Sequence, residues 1–241
     1  MSSYYFEALS HVQGIQQRFL FSDDADLNAF VQREHPQVAL SPFERPTVVS
    51  TDEVSSFETL RYFLEQWESS LLPTWVMLCQ CTSPLVESID FEQVIHRLQV
   101  LEKEGSTLSL ASTGFLSVTV PQKPLHWLLE SSEKGVHPAQ VANPHTQYYL
   151  PNGAFYIVPT RALLNSPTPF SIWDLECVLP CEMPWYRSID IDTAEDLSIA
   201  ERLMHVKLTQ ADAFLEKPLP SQINHAYNNN QTLSSKKGSP L

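Results

Sequence analysis

Residues 74–80 read "TWVMLCQ", a continuous apolar run of the kind that suits a strand buried on both faces. Helical patterns flank it. Upstream, "STDEVSSFETLRYFLEQWESSLL" (50–72) is amphipathic, with Thr51 or Asp52 as its expected N-cap. Downstream, "IDFEQVIHRLQVLEKEG" (89–105) is a second helix, closed by Gly105. The same alternation runs along the chain. "SYYFEALSHV" (3–12) places Tyr5, Leu9 and Val12 on one side of a helix. "RFLF" (18–21) is a short strand, "DADLNAFVQRE" (24–34) a helix capped from Ser22–Asp24, and Val38–Leu40 a weak strand. "STLSLASTGFLSVTV" (106–120), "GAFYIVP" (153–159) and "ECVLPCEMP" (176–184) supply further strands. "TAEDLSIAERLMHVKL" (193–208) is a last helix with Thr193 as N-cap. Strands alternating with helices imply an α/β sheet covered by helices on both faces. Ligands of such sheets bind beyond the carboxyl ends of the strands. Asp23, Gln80 and Asp190 all fall at or near such ends.

The stretch "RSIDIDTAEDLSIAERL" (187–203) holds the most pointed chemistry. Read as a strand running into a helix, it turns Ile189 and Ile191 to one side and Asp190 and Asp192 to the other. Two carboxylates aimed at one point repel each other. They are comfortable if solvated, or if a cation lies between them. An Asp ahead of a helix N-terminus is also favourable without any metal, by roughly 0.3–1 kcal/mol.

Composition narrows the function classes. The chain has 241 residues, 43% of them apolar, enough for a sizeable core. Its 15 Lys plus Arg stand against 28 Asp plus Glu, a net charge of −13. Nucleic acid and anionic membranes are disfavoured as partners, because both demand clustered basic residues. No apolar run reaches the length of a membrane span. The first residues lack a basic segment followed by an apolar one, so no signal peptide is expected and the cytoplasm is the expected compartment. Cys79, Cys81, Cys177 and Cys181 make a poor zinc set, with no His beside either pair, and are expected to be ordinary buried thiols. Residues 121–150 show no clean period and are expected to form a subdomain or an oligomer arm. Residues 217–241 are polar and are expected to be a disordered tail after an α/β domain of residues 1–216.

Five segments in order then add up to a resemblance: "FSDDADLNAF" (21–30), "STDEVSSFETL" (50–60), "LCQCTSPLVESIDFEQVI" (78–95), "LPNGAFYIV" (150–158) and "SIDIDTAEDLSIAE" (188–201). They resemble the acylneuraminate cytidylyltransferase (CMP-sialic acid synthetase) family, whose habitual strings are "LLQPTSPLR", "PNGAIYI" and "SIDIDTPEDL". "ALSPFERPTVVSTDEVSS" (39–56) is similar to the family's Arg-Pro ahead of an acidic, serine-rich helix start. The match covers roughly residues 3–205. It implies a mixed, mostly parallel sheet of the nucleotide-diphospho-sugar transferase type with helices on both faces. The implied reaction is attack by the hydroxyl of a nonulosonic (sialic-acid-like) sugar on the α-phosphate of CTP, releasing pyrophosphate, in cell-surface glycan synthesis. The implied cofactor is Mg²⁺ on Asp190 and Asp192, and the implied assembly a homodimer. Gln80 matches the glutamine of the family's cleft; Ser83, Ser55, Ser56, Asn152 and Gly153 match other substrate-side positions. Asn152-Gly153 is a turn signal in its own right.

The departures from the family carry a second expectation. The family opens with a strand and a Gly- and basic-rich loop, as in "PARGGSKGIP", which wraps the CTP phosphates. The first residues here align instead with the helix after that loop. A central strand is missing with it, which leaves apolar edges of the neighbouring strands unpaired. Val86 stands where the family places Arg after "TSPL", His126 stands near its usual Lys, and its "RQDLP"-like Arg has no counterpart. These losses imply the alternative, a catalytically inactive relative that acts as a binding or partner subunit.

Overall fold

The computed structural model describes residues 2–51, 53–103, 109–123, 128–132, 135–138 and 146–209. Asp52, Gly105, His126 and the tail 217–241 lie outside the described residues, as do 124–127, 133–134 and 139–145 of the 121–150 segment. The chain divides into two units, residues 1–201 and 202–241. Of the second, only the end of the last helix is described.

The first unit is built from helices and strands in alternation, as the sequence pattern predicts. Helices α1 (Ser2–Ser10), α2 (Ala25–Glu34), α3 (Ser56–Glu65), α4 (Ser88–Lys103) and α5 (Thr160–Asn165) are followed by α6 (Ala194–Thr209), which begins in this unit. Strands β1 (Phe19–Leu20) and β2 (Ala39–Leu40) form a two-stranded parallel sheet. Strands β3 (Trp75–Cys79), β4 (Thr113–Thr119), β7 (Leu150–Pro159) and β8 (Cys177–Glu182) form a four-stranded sheet in the order β3-β7-β4-β8. Strands β5 (Leu129–Ser132) and β6 (Gly135–Pro138) pair as a small antiparallel hairpin within the 121–150 excursion.

Two apolar cores lie on opposite faces of the main sheet, and strand alternation sorts residues between them. Phe115, Phe155 and Ile157 enter one core with Tyr5, Phe91 and Val94. Leu116, Val118 and Val158 enter the other with Phe63, Leu64 and Leu163. Helices therefore cover both faces, α1, α2 and α4 on one and α3 and α5 on the other.

Four expectations are corrected. The main sheet is mixed, but two of its three pairings, β3/β7 and β7/β4, are antiparallel, and only β4/β8 is parallel. The cause is the excursion: Thr119 at its start pairs with Leu150 at its end, so β4 and β7 are arms of one long hairpin. Strand β3 is not buried on both faces. It is an edge strand, half-buried at all five positions. Helix α3 starts later than its pattern, because Ser55, not Thr51, is its N-cap: the Ser55 Oγ accepts from the Glu58 N–H at 3.2 Å; it also ends earlier, at Glu65. Finally, Ser188–Ile191 is not a strand. Pro184 leads into a tight turn over Trp185–Arg187, and the Ile191 N–H then donates to the Thr82 C=O at 2.9 Å, docking on a loop instead of extending a ladder.

Other local readings hold, except at Cys81. Asp24 caps α2, accepting from the Asp26 and Leu27 N–H groups. Thr193 caps α6 reciprocally: its Oγ1 accepts from the Asp196 N–H while Asp196 Oδ2 accepts from the Thr193 N–H. All four cysteines are free thiols. Burial pushes the Cys79 thiol up to about 11 and the Cys181 thiol to about 12, which makes both inert. Cys81 is exposed, unlike the expectation for it.

Candidate functional site

Three segments far apart in sequence meet just past the carboxyl end of β3. The Gln80 N–H donates to the Ala154 C=O at 3.2 Å, which ties Gln80 to the stretch of β7 beside Gly153. The Gln80 side chain reaches across to α3, where its Nε2 lies 3.4 Å from Ser56 Oγ. Gly153 has φ +75°, a conformation that favours glycine. A Cβ there would lie 2.3 Å from Asp190 Oδ2 and 3.5 Å from Gln80 Oε1. Gly153 is therefore a cradle, bordered by the Asp190 carboxylate and by the Gln80 amide oxygen.

The Asp190 carboxylate is poorly satisfied: its Oδ1 is buried and has no hydrogen-bond partner among the described residues. The Tyr156 hydroxyl feels its charge. Burial first, and then the Asp190 carboxylate, push the Tyr156 pKa above the ordinary tyrosine value. Tyr156, Gln80 and Ser56 line a cleft of about 280 Å³, walled by Phe57, Phe170 and Trp173. Trp173 is 66% exposed, and the Ser171–Asp174 capping box holds its turn.

The other expected site residues are placed differently. Ser55 spends its hydroxyl on the α3 cap. Ser83 is fully buried, inside its loop and away from the cleft surface, with its N–H on the Gln80 C=O at 3.3 Å. Asn152 is buried and acts as a tie: its Nδ2 donates to Ser188 Oγ at 2.8 Å and its Oδ1 accepts from the Ala154 N–H. That tie fixes the start of the Asp190 segment on β7. Asp192 is exposed, and its N–H donates to Asp196 Oδ2 at 3.3 Å.

Sequence reasoning missed the anchor of this segment. Arg187 donates to both oxygens of Asp90, from Nη2 at 2.8 Å and from Nε at 3.0 Å, and lies 3.3 Å from Glu87 Oε2. The Asp90 side chain is 1% exposed. Burial pushes its pKa up, and the Arg187 hydrogen bonds and charge oppose that rise. A signal did exist for half of this pair. Asp90 sits four residues before Val94 and eight before Leu98, on the stripe of α4 that faces the core. A carboxylate on such a stripe needs a cationic partner. Nothing in the sequence says that the partner is 97 residues away.

Among the described residues no three His, Cys, Asp or Glu side chains lie together as a metal cage. Mg²⁺ does not need one, since it is held by one or two carboxylates plus substrate phosphates. The Asp190 carboxylate, with its Oδ1 unpartnered among the described residues and its Oδ2 bordering the same Gly153 cradle as Gln80 Oε1, is a donor set that fits this mode. A scan of protein-family models gives no match to the chain, and no curated protein matches it significantly.

Proposed function

We propose that the protein is a cytidylyltransferase-like enzyme that transfers CMP from CTP to a nonulosonic sugar in the cytoplasm, as a homodimer, for cell-surface glycan synthesis. The observation that carries this reading is that Gln80 links four positions from separate motifs: its side chain reaches Ser56 at the cleft, and its amide oxygen borders the same Gly153 cradle as the Asp190 carboxylate. In the reaction the sugar hydroxyl oxygen bonds to the α-phosphorus of CTP, the bond to the β-phosphate oxygen breaks, and the hydroxyl proton is lost as pyrophosphate leaves. Bound Mg²⁺ would neutralise charge on the triphosphate and the leaving pyrophosphate. Asp190 would hold it, with Asp192 at the exposed rim. Gln80 orients ligand from the floor of the cleft, and Asn152 and Arg187 keep the Asp190 segment in place.

One observation favours the non-catalytic alternative. The arginines beside the strand ends are already engaged: Arg18 donates to the Leu9 and Val12 carbonyls, and Arg45 to the Val49 carbonyl. A triphosphate would compete for them. Titrating the protein with CTP·Mg²⁺ and assaying pyrophosphate release with nonulosonic acids separates the two. Binding with release supports the enzyme; binding without release supports an inactive nucleotide-binding relative; no binding removes the enzyme and leaves the partner-subunit alternative.

Asp190→Asn gives a sharper check. It neutralises a carboxylate whose buried Oδ1 has no partner among the described residues, so without ligand its melting temperature is expected to rise slightly. Any stabilisation of the wild type by CTP·Mg²⁺ is expected to vanish in the variant. Asp192→Ala is expected to leave the fold intact and to abolish Mg²⁺-dependent turnover. Undiminished turnover in Asp192→Ala would remove its metal role.

A further inference from the structure

We infer that Glu58 is a positioning residue of the candidate cleft: by accepting a hydrogen bond from the Phe170 N–H, it fixes where the wall that carries Trp173 stands. The geometry is independent of the proposed reaction; what the cleft binds rests on that reading.

Residues 170–173 supply a continuous stretch of the cleft lining. They follow α5 through the loop 166–169, "SPTP". Pro167 and Pro169 have no N–H to donate, so the loop ties itself down poorly. Two side chains of α3 hold it instead. Arg61 donates to the Ser166 C=O from Nη1 at 2.9 Å and to the Pro167 C=O from Nη2 at 3.4 Å. Glu58 Oε1 accepts from the Phe170 N–H at 3.0 Å. Among the described residues, 167–170 make hydrogen bonds to no other part of the protein.

The chemistry of the pair suits this grip. Glu58 and Arg61 are three residues apart and share one face of α3. Arg61 is buried, and its Nε, which has no hydrogen-bond partner among the described residues, lies 3.8 Å from Glu58 Oε1. A buried cation needs an anion beside it. One carboxylate oxygen thus compensates Arg61 and holds Phe170 at once.

The same helix lines the cleft. Ser56 and Phe57 stand in its first turn, just ahead of Glu58. The Phe57 ring meets Phe170 edge-on with centroids 5.1 Å apart, and Tyr156 at 5.4 Å. Both parts of the lining therefore hang on α3, and their spacing is set where it grips 166–170. Phe170 and Ile172 are buried in the core around Phe63, while Trp173 is exposed. That burial keeps the segment folded when the grip is weakened, so the expected effect is a displaced wall and not an unfolded chain. An indole face beside the Gln80 amide and the Ser56 hydroxyl serves a ligand only if it is held to within about 0.5 Å.

The test uses the full chain labelled with 5-fluorotryptophan. Its five tryptophans give one fluorine signal each, and the Trp173 signal is the one lost in Trp173→Phe. Glu58→Ala and Glu58→Gln both leave Arg61 without its counter-charge, but only Gln keeps an oxygen for the Phe170 N–H. Glu58→Ala is expected to shift or broaden the Trp173 signal and to speed hydrogen exchange of the Phe170 amide by about tenfold or more. Glu58→Gln is expected to restore both. An unmoved Trp173 signal in Glu58→Ala, or the same change in both variants, overturns the inference. Glu58→Asp keeps the charge but is one methylene short of the amide, so it is expected to behave as Glu58→Ala does; wild-type behaviour overturns the inference even if Glu58→Ala does not fold. The probes for binding are CTP·Mg²⁺ and N-acetylneuraminic acid, a nonulosonic acid. Affinity for the sugar acid is expected to fall about tenfold in Glu58→Ala and to recover in Glu58→Gln. Unchanged affinity with a displaced Trp173 overturns the positioning role. A wild type that binds neither probe removes the proposed reaction, and the fluorine and exchange results still uphold or overturn the grip of Glu58 on the wall.

Discussion

Replacing Arg187 with alanine is expected to destabilise the protein by about 3–5 kcal/mol, the cost of breaking a buried ion pair from one side. The variant leaves Asp90 buried with its main cationic partner gone. The Arg187 side chain is only 15% exposed and its fork engages both Asp90 oxygens, so surface screening does not soften the loss. Urea unfolding measures it directly. Arg187→Lys keeps the charge but not the fork, and should fall between the two. A loss under about 1 kcal/mol would show that Asp90 finds solvent or another donor.

The pH dependence of that deficit gives an independent reading of the same pair. Burial already raises the Asp90 pKa, and Arg187 holds it back. Without Arg187 the pKa climbs further. An acid whose folded-state pKa is raised binds its proton more readily in the folded protein. Its favourable contribution is complete below the unfolded value, about 3.9, and is lost as pH rises through the folded value. The gap between Arg187→Ala and wild type should therefore be narrow in acid and widen toward neutral pH. A gap that stays constant with pH would mean that lost packing, not an unpaired carboxylate, causes the destabilisation.

This clamp also marks where the sequence stops being legible. Helix and strand identities followed from local patterns: the Asp24 and Thr193 caps, the apolar run of β3, the "GAFYIVP" stretch of β7. Each depends on neighbours within a few residues. The order of strands in the sheet is not local. It took the Thr119–Leu150 pairing to show that an unpatterned excursion closes a hairpin, so that β7 runs against both neighbours. The Asp190 segment failed for a related reason. Its alternation of Ile and Asp looks like a strand, but Arg187 and Asn152 pin it to α4 and β7, and the Ile191 N–H goes to a loop. Gln80, Gly153 and Asp190 were legible as motif positions. That all three border one space was not, because the space is opened by a left-handed backbone at Gly153, which depends on long-range pairing.

Gly153→Ala is expected to separate the geometry of the site from the stability of the fold. Two costs act on it. Alanine in the left-handed region costs about 1–2 kcal/mol. The new Cβ also falls 2.3 Å from Asp190 Oδ2, so the carboxylate has to move out of the cradle. Gly14 supplies a matched control. Its φ is +85°, and a Cβ there meets the Ile95 Cγ2 at 2.8 Å, far in sequence from Asp190. Both alanine variants should therefore lose stability by similar amounts, measured by thermal or urea unfolding. Only Gly153→Ala should lose affinity for CTP·Mg²⁺, by tenfold or more, about 1.4 kcal/mol. Equal binding in the two variants would mean that the cradle over Gly153 holds Asp190 for folding alone, and the proposed nucleotide site would lose its centre. A binding loss confined to Gly153→Ala would tie ligand recognition to the cradle that Asp190 and Gln80 border, because backbone strain is common to both variants and displacement of Asp190 is not.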